Sequence, residues 1–250
     1  MASDYSGHSE KHSPLEQFEI IPFAHTEIGG YDISFTNSSL AMVITVAFIT
    51  LFLTLSVNTR SIIPSRMQLI SELIYNFVAQ LLSDTVGDQG RRYFPFVFTI
   101  FMFVLVGNML GMIPYSFTFT SHIIVTFALA AIVFIGVTIL GFVKHKLHFF
   151  SFFYIPGLPW YMLPLLIPIE VISYLSRPIS LSVRLFANML AGHTLLKVFA
   201  GFVVPLGLAG ILPLAFIVAL TGLEILIAFL QAYVFAILTC LYINDAIHLH

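Results

Sequence analysis

The stretch SYLSRPISLSVRLFANMLAGHT, residues 173–194, decides how this chain is interpreted. It places two arginines, Arg177 and Arg184, in a run that is otherwise apolar enough to lie in a membrane. An arginine in hydrocarbon costs at least about 2.5–3.5 kcal/mol on insertion scales, so a functional role is its default interpretation. The rest of the sequence must therefore show whether this segment is embedded, and what the charge faces.

The composition indicates a polytopic membrane protein. Of the 250 residues, 59% are hydrophobic and only 9% are charged, whereas soluble domains carry about 25% charged residues. The net charge of −2 comes without a basic run, so no nucleic-acid partner is expected. The single cysteine, Cys240, excludes an internal disulfide and a thiolate metal cluster. No cofactor or metal motif appears, and the spacing of His8, His12 and His25 follows no zinc pattern.

Several stretches are apolar and as long as a bilayer span, which needs about 20 residues. Three of them contain no charge, and we predict spans over 38–57, 94–115 and 123–143. Two later stretches, 169–201 and 206–245, are longer than a perpendicular span needs, so we expect them to be strongly tilted or kinked. The predicted fold is a single all-α membrane domain over 1–250, with about five to six membrane helices.

Three other segments complete this plan. Residues 1–37 are mostly polar and are predicted to form an extramembrane arm. Residues 65–86 carry apolar side chains at helical spacing on one wide stripe, which predicts an amphipathic helix. That helix either lies in the membrane interface or packs against protein. Residues 147–168 contain four prolines, so we expect a broken or re-entrant segment.

The basic residues predict the orientation of the chain. Three alternating spans place six of them on one side: Arg60, Arg66, Arg91, Arg92, Lys144 and Lys146. The other side carries Lys11 and the uncharged loop 116–122. By the positive-inside rule the amino terminus lies outside, and the six basic residues face the cytoplasm or the mitochondrial matrix.

A continuous polar stripe runs along the helix predicted over 169–201. Its members are spaced by 3, 4, 3, 4 and 4 residues: Glu170, Ser173, Arg177, Ser180, Arg184 and Asn188. At 3.6 residues per turn they share one face. For Arg177 an internal ion pair with Glu170 or Glu224 is plausible. Arg184 has only neutral neighbours within one turn, and a guanidinium stays protonated. Its counter-charge is therefore expected on another element or another chain.

Two further polar residues belong to the last two helices. His193 lies nine residues after Arg184, about half a turn off the stripe, so it should face a different wall. Glu224 is a carboxylate inside a span, which must be paired or hydrated. Together the two would form a titratable pair suited to passing protons. Gln231 follows seven residues after Glu224 on the same face. Asn108, in the span 94–115, is more typical of helix packing, with function as the minority alternative.

At these residues a resemblance becomes visible. The pattern S-L-x-x-R-L-F-x-N-M-x-A-G over Ser180–Gly192 resembles subunit a of F-type ATP synthases. The run L-Q-A-Y-V-F over Leu230–Phe235 is similar to the last helix of that family, as is the overall plan from about Pro14 to the carboxyl end. The arrangement of His193 and Glu224 resembles mitochondrial and alphaproteobacterial members.

The resemblance implies a proton-conducting stator that is not an enzyme alone but a subunit of the proton-translocating ATP synthase. Arg184 would face the carboxylates of a rotating ring of c subunits, between two offset aqueous half-channels. The implied outer half-channel is lined by His193, Glu224 and Gln231. Glu170, Ser173 and Ser180 are implied for the inner one, and Asn188 also lies on the proton path.

The same resemblance implies the surroundings of the chain. Its partners would be the c ring, the peripheral-stalk b subunits and the remaining complex, in a lipid bilayer, with protons as the transported ion. The first choice of location is a bacterial inner membrane, and the second is the mitochondrial inner membrane. Two other hypotheses remain open from the residues: a stand-alone ion transporter with an arginine–carboxylate gate, and a scaffold whose arginines make structural pairs.

Overall fold

The computed structural model describes residues 18–24, 27–28, 31–32, 34–58, 65–113, 116–146 and 163–248. Within these residues the chain is built from six α-helices: α1 (Asn37–Asn58), α2 (Arg66–Val86), α3 (Phe94–Gly111), α4 (Ile123–His145), α5 (Leu163–Val203) and α6 (Ile211–Ile247). Short 3₁₀ turns precede α3, α4 and α6, at Asp88–Tyr93, Phe119–Ser121 and Gly207–Gly210. The fold is all-α, as predicted.

The amino-terminal arm contributes two small antiparallel pairs. Strand β1 (Pro22–Ala24) pairs with β4 (Phe35–Thr36), and β2 (Glu27–Ile28) pairs with β3 (Tyr31–Asp32). The Asn37 side chain, at the start of α1, holds the arm by donating from Nδ2 to the Glu19 carbonyl at 2.9 Å. Much of the predicted arm, including His8, His12 and His25, lies outside the described residues.

Five helical segments are long and apolar enough to cross a membrane: Asn37–Val57, Asp88–Gly111, Ile123–His145, Pro164–Val203 and Gly207–Ile247. The last two have 40 and 41 residues, about twice the length that a perpendicular span needs. The protein is therefore a multi-pass membrane protein whose final two helices exceed the bilayer thickness.

Several predicted boundaries differ from the structure, among them the end of α3 and the start of α5. Helix α3 ends at Gly111 rather than at residue 115, because the loop turns back there and Thr118 Oγ1 donates to the Gly111 carbonyl at 3.1 Å. Helix α5 begins at Leu163, so residues 163–168 are helical rather than broken. Pro164 is tolerated because a first-turn residue needs no intrahelical N–H partner. The rest of the predicted broken segment, 147–162, lies outside the described residues.

Helix α2 combines both predicted alternatives for the amphipathic segment. Ser65 caps it by accepting from the Gln68 backbone N–H at 3.3 Å. Its second half packs on protein, with Val78 and Leu82 at most 2% exposed, whereas Leu73 in its first half remains 61% exposed. The apolar stripe therefore continues from the protein core onto a surface suited to lipid.

Helix α6 is the centre of the packing, with α2, α3, α4 and α5 in contact with it. Three alanines at four-residue spacing, Ala228, Ala232 and Ala236, are completely buried along it. Such small residues allow helix backbones to approach closely in a membrane. This close packing fixes the register of α6 against its neighbours, and through it the position of every polar group on α6.

Candidate functional site

Helices α5 and α6 run antiparallel and bring the predicted polar residues together. Two contacts set the register: Arg177 on α5 meets Asp245 on α6, and Gly192 on α5 meets Glu224. Arg184 lies between these two levels of α5. The polar groups are therefore arranged along one helix pair, with the ion pair at one end and the carboxylate at the other.

The partner of Arg177 is Asp245, not Glu170 or Glu224 as predicted. Nη1 of Arg177 donates to Asp245 Oδ2 at 2.9 Å, and the guanidinium lies 5.3 Å and 5.1 Å from the ring centroids of Tyr174 and Tyr242. The phenol of Tyr174 is in turn 2.8 Å from Thr138 Oγ1 on α4. Arg177 is thus a structural link between three helices. The sequence could not show this because the pairing depends on the register of α5 against α6.

Arg184 differs from Arg177 in having no counter-ion among the described residues. Its side chain is exposed on the surface of α5, and no hydrogen bond or ion pair holds it there. Its neighbour Leu185, about 100° further round the helix, is 1% exposed and packs in the core. The cation therefore projects from a firmly packed helix toward whatever lies outside the chain. This is the geometry expected when the counter-charge belongs to another chain.

Glu224 on α6 lies against Gly192 on α5. A Cβ at Gly192 would stand 2.6 Å from Glu224 Oε1. The glutamate is only 8% exposed, and its Oε2 has no hydrogen-bond partner among the described residues. A small void of about 10 Å³ beside it is bordered by Asn188 and His193, with Met112, Met189 and Ile227 completing the wall. A void of this size accommodates about one water molecule.

His193 and Asn188 border the same void, although sequence spacing placed His193 on a wall away from the stripe. The two residues are separated by five positions on α5. Asn188, the last residue of the predicted stripe, therefore meets His193 and Glu224 at this void. No hydrogen bond joins His193 directly to Glu224 among the described residues.

A larger cleft opens from His193 toward the amino-terminal side of the molecule. It has a volume of about 860 Å³, and His193 lies at its inner end, where Nε2 is 3.3 Å from Thr118 Oγ1. Its walls come from the arm, the loop after α3, α5 and α6, and include Glu19, Asn37, Thr118, Lys197 and Thr221. His193 therefore borders both this cleft and the small void beside Glu224.

The loop that closes this cleft carries a second histidine. The His122 ring stacks on Phe117, with centroids 5.1 Å apart and planes at 18°. Burial lowers the pKa of His122, and its Nε2 has no hydrogen-bond partner among the described residues. His122 is therefore uncharged at neutral pH and adds no positive charge beside the cleft.

Asn108 is completely buried where α3 crosses α6. Its Nδ2 donates to the Ala228 carbonyl at 3.4 Å, one helical turn after Glu224, while its Oδ1 lacks a partner among the described residues. The contact is an interhelical hydrogen bond of the kind that stabilises membrane helices. Helix packing thus accounts for the position of the Asn108 Nδ2 atom.

The remaining predicted residues are dispersed. Glu170 is half-buried, while Ser173 and Ser180 are exposed on the same helix as Arg177. Gln231 is half-buried on α6, and it borders neither the cleft nor the void. The structure therefore joins His193, Glu224 and Asn188, and it leaves Gln231 and the three residues near Arg177 apart from them.

Several residues of the site were not foreseen. Asp245, Tyr174 and Tyr242 surround Arg177, while Thr118 contacts His193. Lys197 could have been predicted from the sequence, because it follows His193 by four residues and shares its helix face. Thr118 could not have been predicted, since it lies in an uncharged loop 75 residues earlier in the chain.

Comparison with known proteins agrees with this architecture. Residues 39–244 match the sequence profile of the family described as ATP synthase A chain. A protein of Pelagibacter ubique named ATP synthase subunit a is 60% identical over 240 residues, covering 95% of this chain and 98% of the relative. A protein of the same name from Rhodospirillum rubrum is 56% identical over 240 residues, covering 96% of this chain and all of the relative. The chain belongs to the ATP synthase A chain family.

Proposed function

We propose that this chain conducts protons to and from a rotating ring of c subunits in an ATP synthase, with Arg184 facing the ring carboxylates. The observation that carries the proposal is the contrast between the two arginines of α5. Arg177 has its counter-ion within the chain at 2.9 Å, whereas Arg184 projects from a packed helix and has none among the residues that the structure describes. The name of the relatives, ATP synthase subunit a, supports the same role.

The electrostatics of Arg184 suit this role. A carboxylate carried through lipid stays protonated, since desolvation disfavours its charged form. Opposite a guanidinium it ionises and releases its proton, because a nearby cation stabilises the carboxylate. The fixed positive charge also repels protons that would pass directly between the two half-channels. Each proton crossing 100 mV delivers about 2.3 kcal/mol, so several are needed for each ATP.

The outer half-channel follows the cleft and the void beyond it. Protons would enter from the side of the amino-terminal arm, reach His193, and pass by way of Glu224 and Asn188 toward the ring. The 860 Å³ cleft and the 10 Å³ void next to it support this route. Gln231 would act further along α6, near the ring.

The inner half-channel would lie near the opposite end of α5. Glu170, Ser173 and Ser180 would form its wall, below the level of Arg184. The exposure of Ser173 and Ser180 supports this placement, because both can meet water or a neighbouring subunit. The pair Arg177–Asp245 would hold α5 and α6 together beside the exit without carrying protons itself.

The proposed assembly contains the c ring and the peripheral-stalk b subunits, in a bacterial inner membrane. The excess length of α5 and α6 is explained if both lie strongly tilted along the ring surface. The identity to alphaproteobacterial relatives supports a bacterial membrane over the mitochondrial one.

Replacing Arg184 tests the proposal. In inverted membrane vesicles, Arg184→Ala should abolish proton-driven ATP synthesis while the complex still assembles, because the ring carboxylates can no longer ionise at the stator. Arg66→Gln removes an exposed arginine at the start of α2 and should leave synthesis unchanged. Normal synthesis by Arg184→Ala would overturn the proposal. Purification of the chain as a self-contained conducting particle would favour a stand-alone transporter instead.

A further inference from the structure

A polar cleft of about 560 Å³ lies at the other end of the molecule from the His193 cleft, apart from the proposed proton path. It is formed where the start of α3 meets the carboxyl ends of α4 and α6. Its walls are Asp88, Gln89, Arg92, Tyr93, Leu140, Val143, Lys144 and Ile247. None of these residues has a role in the function proposed above.

The charge of this cleft is positive. Lys144 Nζ donates to Gln89 Oε1 at 3.0 Å, and Arg92 is exposed, with no hydrogen bond or ion pair among the described residues. The acid of the cleft, Asp88, has its own partner, since Arg91 Nη2 lies 3.4 Å from Asp88 Oδ1. One backbone acceptor at the rim is also occupied, because His145 Nε2 donates to the Ile247 carbonyl at 3.2 Å. Two cations therefore remain available to an anion.

The opposite wall of the cleft is apolar and continues onto the membrane-facing surface. Leu140 is half-buried, and Val143, in the last turn of α4, is 74% exposed. The cleft lies at the level where the spans α3 and α4 end, which is the level of lipid headgroups. Tyr93 lies at the same level, where an aromatic ring with a polar tip is favoured. The cleft thus offers cations on one side and a path for an acyl chain on the other.

We propose that this cleft binds the headgroup of an anionic phospholipid of the inner leaflet. Arg92 and Lys144 would bind the phosphodiester, as arginine and lysine do in phosphate sites generally. Leu140 and Val143 would contact the first carbons of an acyl chain. Basic pockets between membrane helices on the cytoplasmic side are typical sites for such lipids. The inference does not depend on the proton path, because no cleft residue belongs to it.

The test uses the assembled complex in vesicles that contain a phosphatidylglycerol with a photoactivatable acyl chain. After illumination, labelled peptides are identified by mass spectrometry. Labelling should concentrate near Leu140 and Val143 and should saturate with lipid. At equal mole fraction the matching phosphatidylcholine probe should label these peptides about tenfold less, since it lacks net negative charge. Equal labelling by the two probes on the unaltered protein would overturn the proposal.

Two pairs of substitutions distinguish lipid binding in the cleft from attraction of lipid by general surface charge. The double substitution Arg92→Gln with Lys144→Gln should lower phosphatidylglycerol labelling about tenfold. The control Arg66→Gln with Lys146→Gln removes the same charge from exposed positions outside the cleft and should leave labelling unchanged. An equal loss in the control would overturn the proposal. Displacement of the probe by millimolar inorganic phosphate would also overturn the proposal, because it indicates a site for free phosphate. Absence of labelling in the complex would overturn it too, because a neighbouring subunit then covers the cleft.

Discussion

At the scale of single residues, the position of Glu224 depends on Gly192, which has no side chain. Gly192 leaves the space that Glu224 Oε1 occupies, and no other residue type would do so without displacing the carboxyl group. The glycine is needed here for close approach rather than for an unusual backbone conformation. This close approach explains the glycine in the pattern A-G-H, which follows the polar stripe.

Gly192→Ala is expected to reduce proton-driven ATP synthesis by roughly tenfold or more, because displacing Glu224 removes a proton-transfer group. Assembly should persist, since the atom that must move is the end of a flexible side chain. Synthesis in vesicles and the yield of purified complex measure the two effects separately. Gly201→Ala is the matched control on the same helix, because a Cβ there meets nothing within 4 Å. Unchanged synthesis in Gly192→Ala would show that the position of Glu224 does not matter.

His193 and Glu224 should behave as a pair because both border the same void. Exchanging them, His193→Glu together with Glu224→His, keeps one carboxyl group and one imidazole at the void. The double variant should therefore synthesise more ATP than either single variant, and comparing the three rates in vesicles tests it. A double variant no better than both singles would remove the idea of a pair.

At the scale of elements, the antiparallel register of α5 and α6 is held by an ion pair at one end and a glycine–carboxyl contact at the other. Between them, Ser182 on α5 is completely buried and its Oγ lies 3.1 Å from Thr126 Oγ1 on α4. These contacts hold the helix that carries Arg184 against α4 and α6. The exposed arginine can therefore keep its position while a partner moves past it.

Asp245→Asn should lower the thermal stability of the solubilised complex. The ion pair is partly exposed, with side-chain exposures of 22% for Arg177 and 36% for Asp245, so the expected loss is about 1 kcal/mol. For a chain of this size that corresponds to about 2–4 °C in Tm, measured by thermal unfolding.

The control for this prediction is Asp88→Asn, which breaks the pair with Arg91. Both of its partners are more than 80% exposed, so it should leave Tm unchanged. Equal shifts in the two variants would mean that the pair Arg177–Asp245 does not link the helices. Exchanging the charges, Arg177→Asp with Asp245→Arg, should restore part of the loss.

At the scale of the whole molecule, two clefts lie at opposite ends of a body packed around α6. The cleft of about 860 Å³ leads inward to His193, and the cleft of about 560 Å³ lies where Arg92 and Lys144 meet. Between them the core is apolar and closely packed, with Phe101 and Phe235 each 1% exposed. The larger cleft is therefore a possible entrance for water on the arm side, and the packed core lies between it and the other cleft.

Substituted cysteines can test whether the 860 Å³ cleft opens on the side of the amino-terminal arm. Thr221→Cys, in the wall of the 860 Å³ cleft, should react with a membrane-impermeant methanethiosulfonate added on the side of the amino-terminal arm. Ile132→Cys, on the exposed apolar face of α4, should not react, because a thiol in hydrocarbon does not form the reactive thiolate. The natural Cys240 is completely buried and gives a low background. Faster labelling of Thr221→Cys from the opposite side would contradict the orientation.

Much of the architecture follows from local patterns. Hydrophobic run lengths predicted a multi-pass helical protein and two final helices too long for perpendicular spans, and the structure confirms both. The spacings of three and four residues predicted a polar stripe on which the neighbours of Arg184 are neutral, because the period of a helix is fixed by its backbone. The boundary at Gly111 was less predictable, since Thr118 ends α3 from across a loop.

Local sequence patterns did not predict the contacts between helices. The sequence alone established the class of the protein, its family resemblance and the isolation of Arg184, because all three depend on composition and on spacing within one helix. Only the tertiary structure decided that Arg177 pairs with Asp245, that Glu224 rests on Gly192, and that Thr118 reaches His193. The physical reason is that the register of one helix against another is set by the packing of many small contacts, such as the buried alanines of α6, and no local period records it.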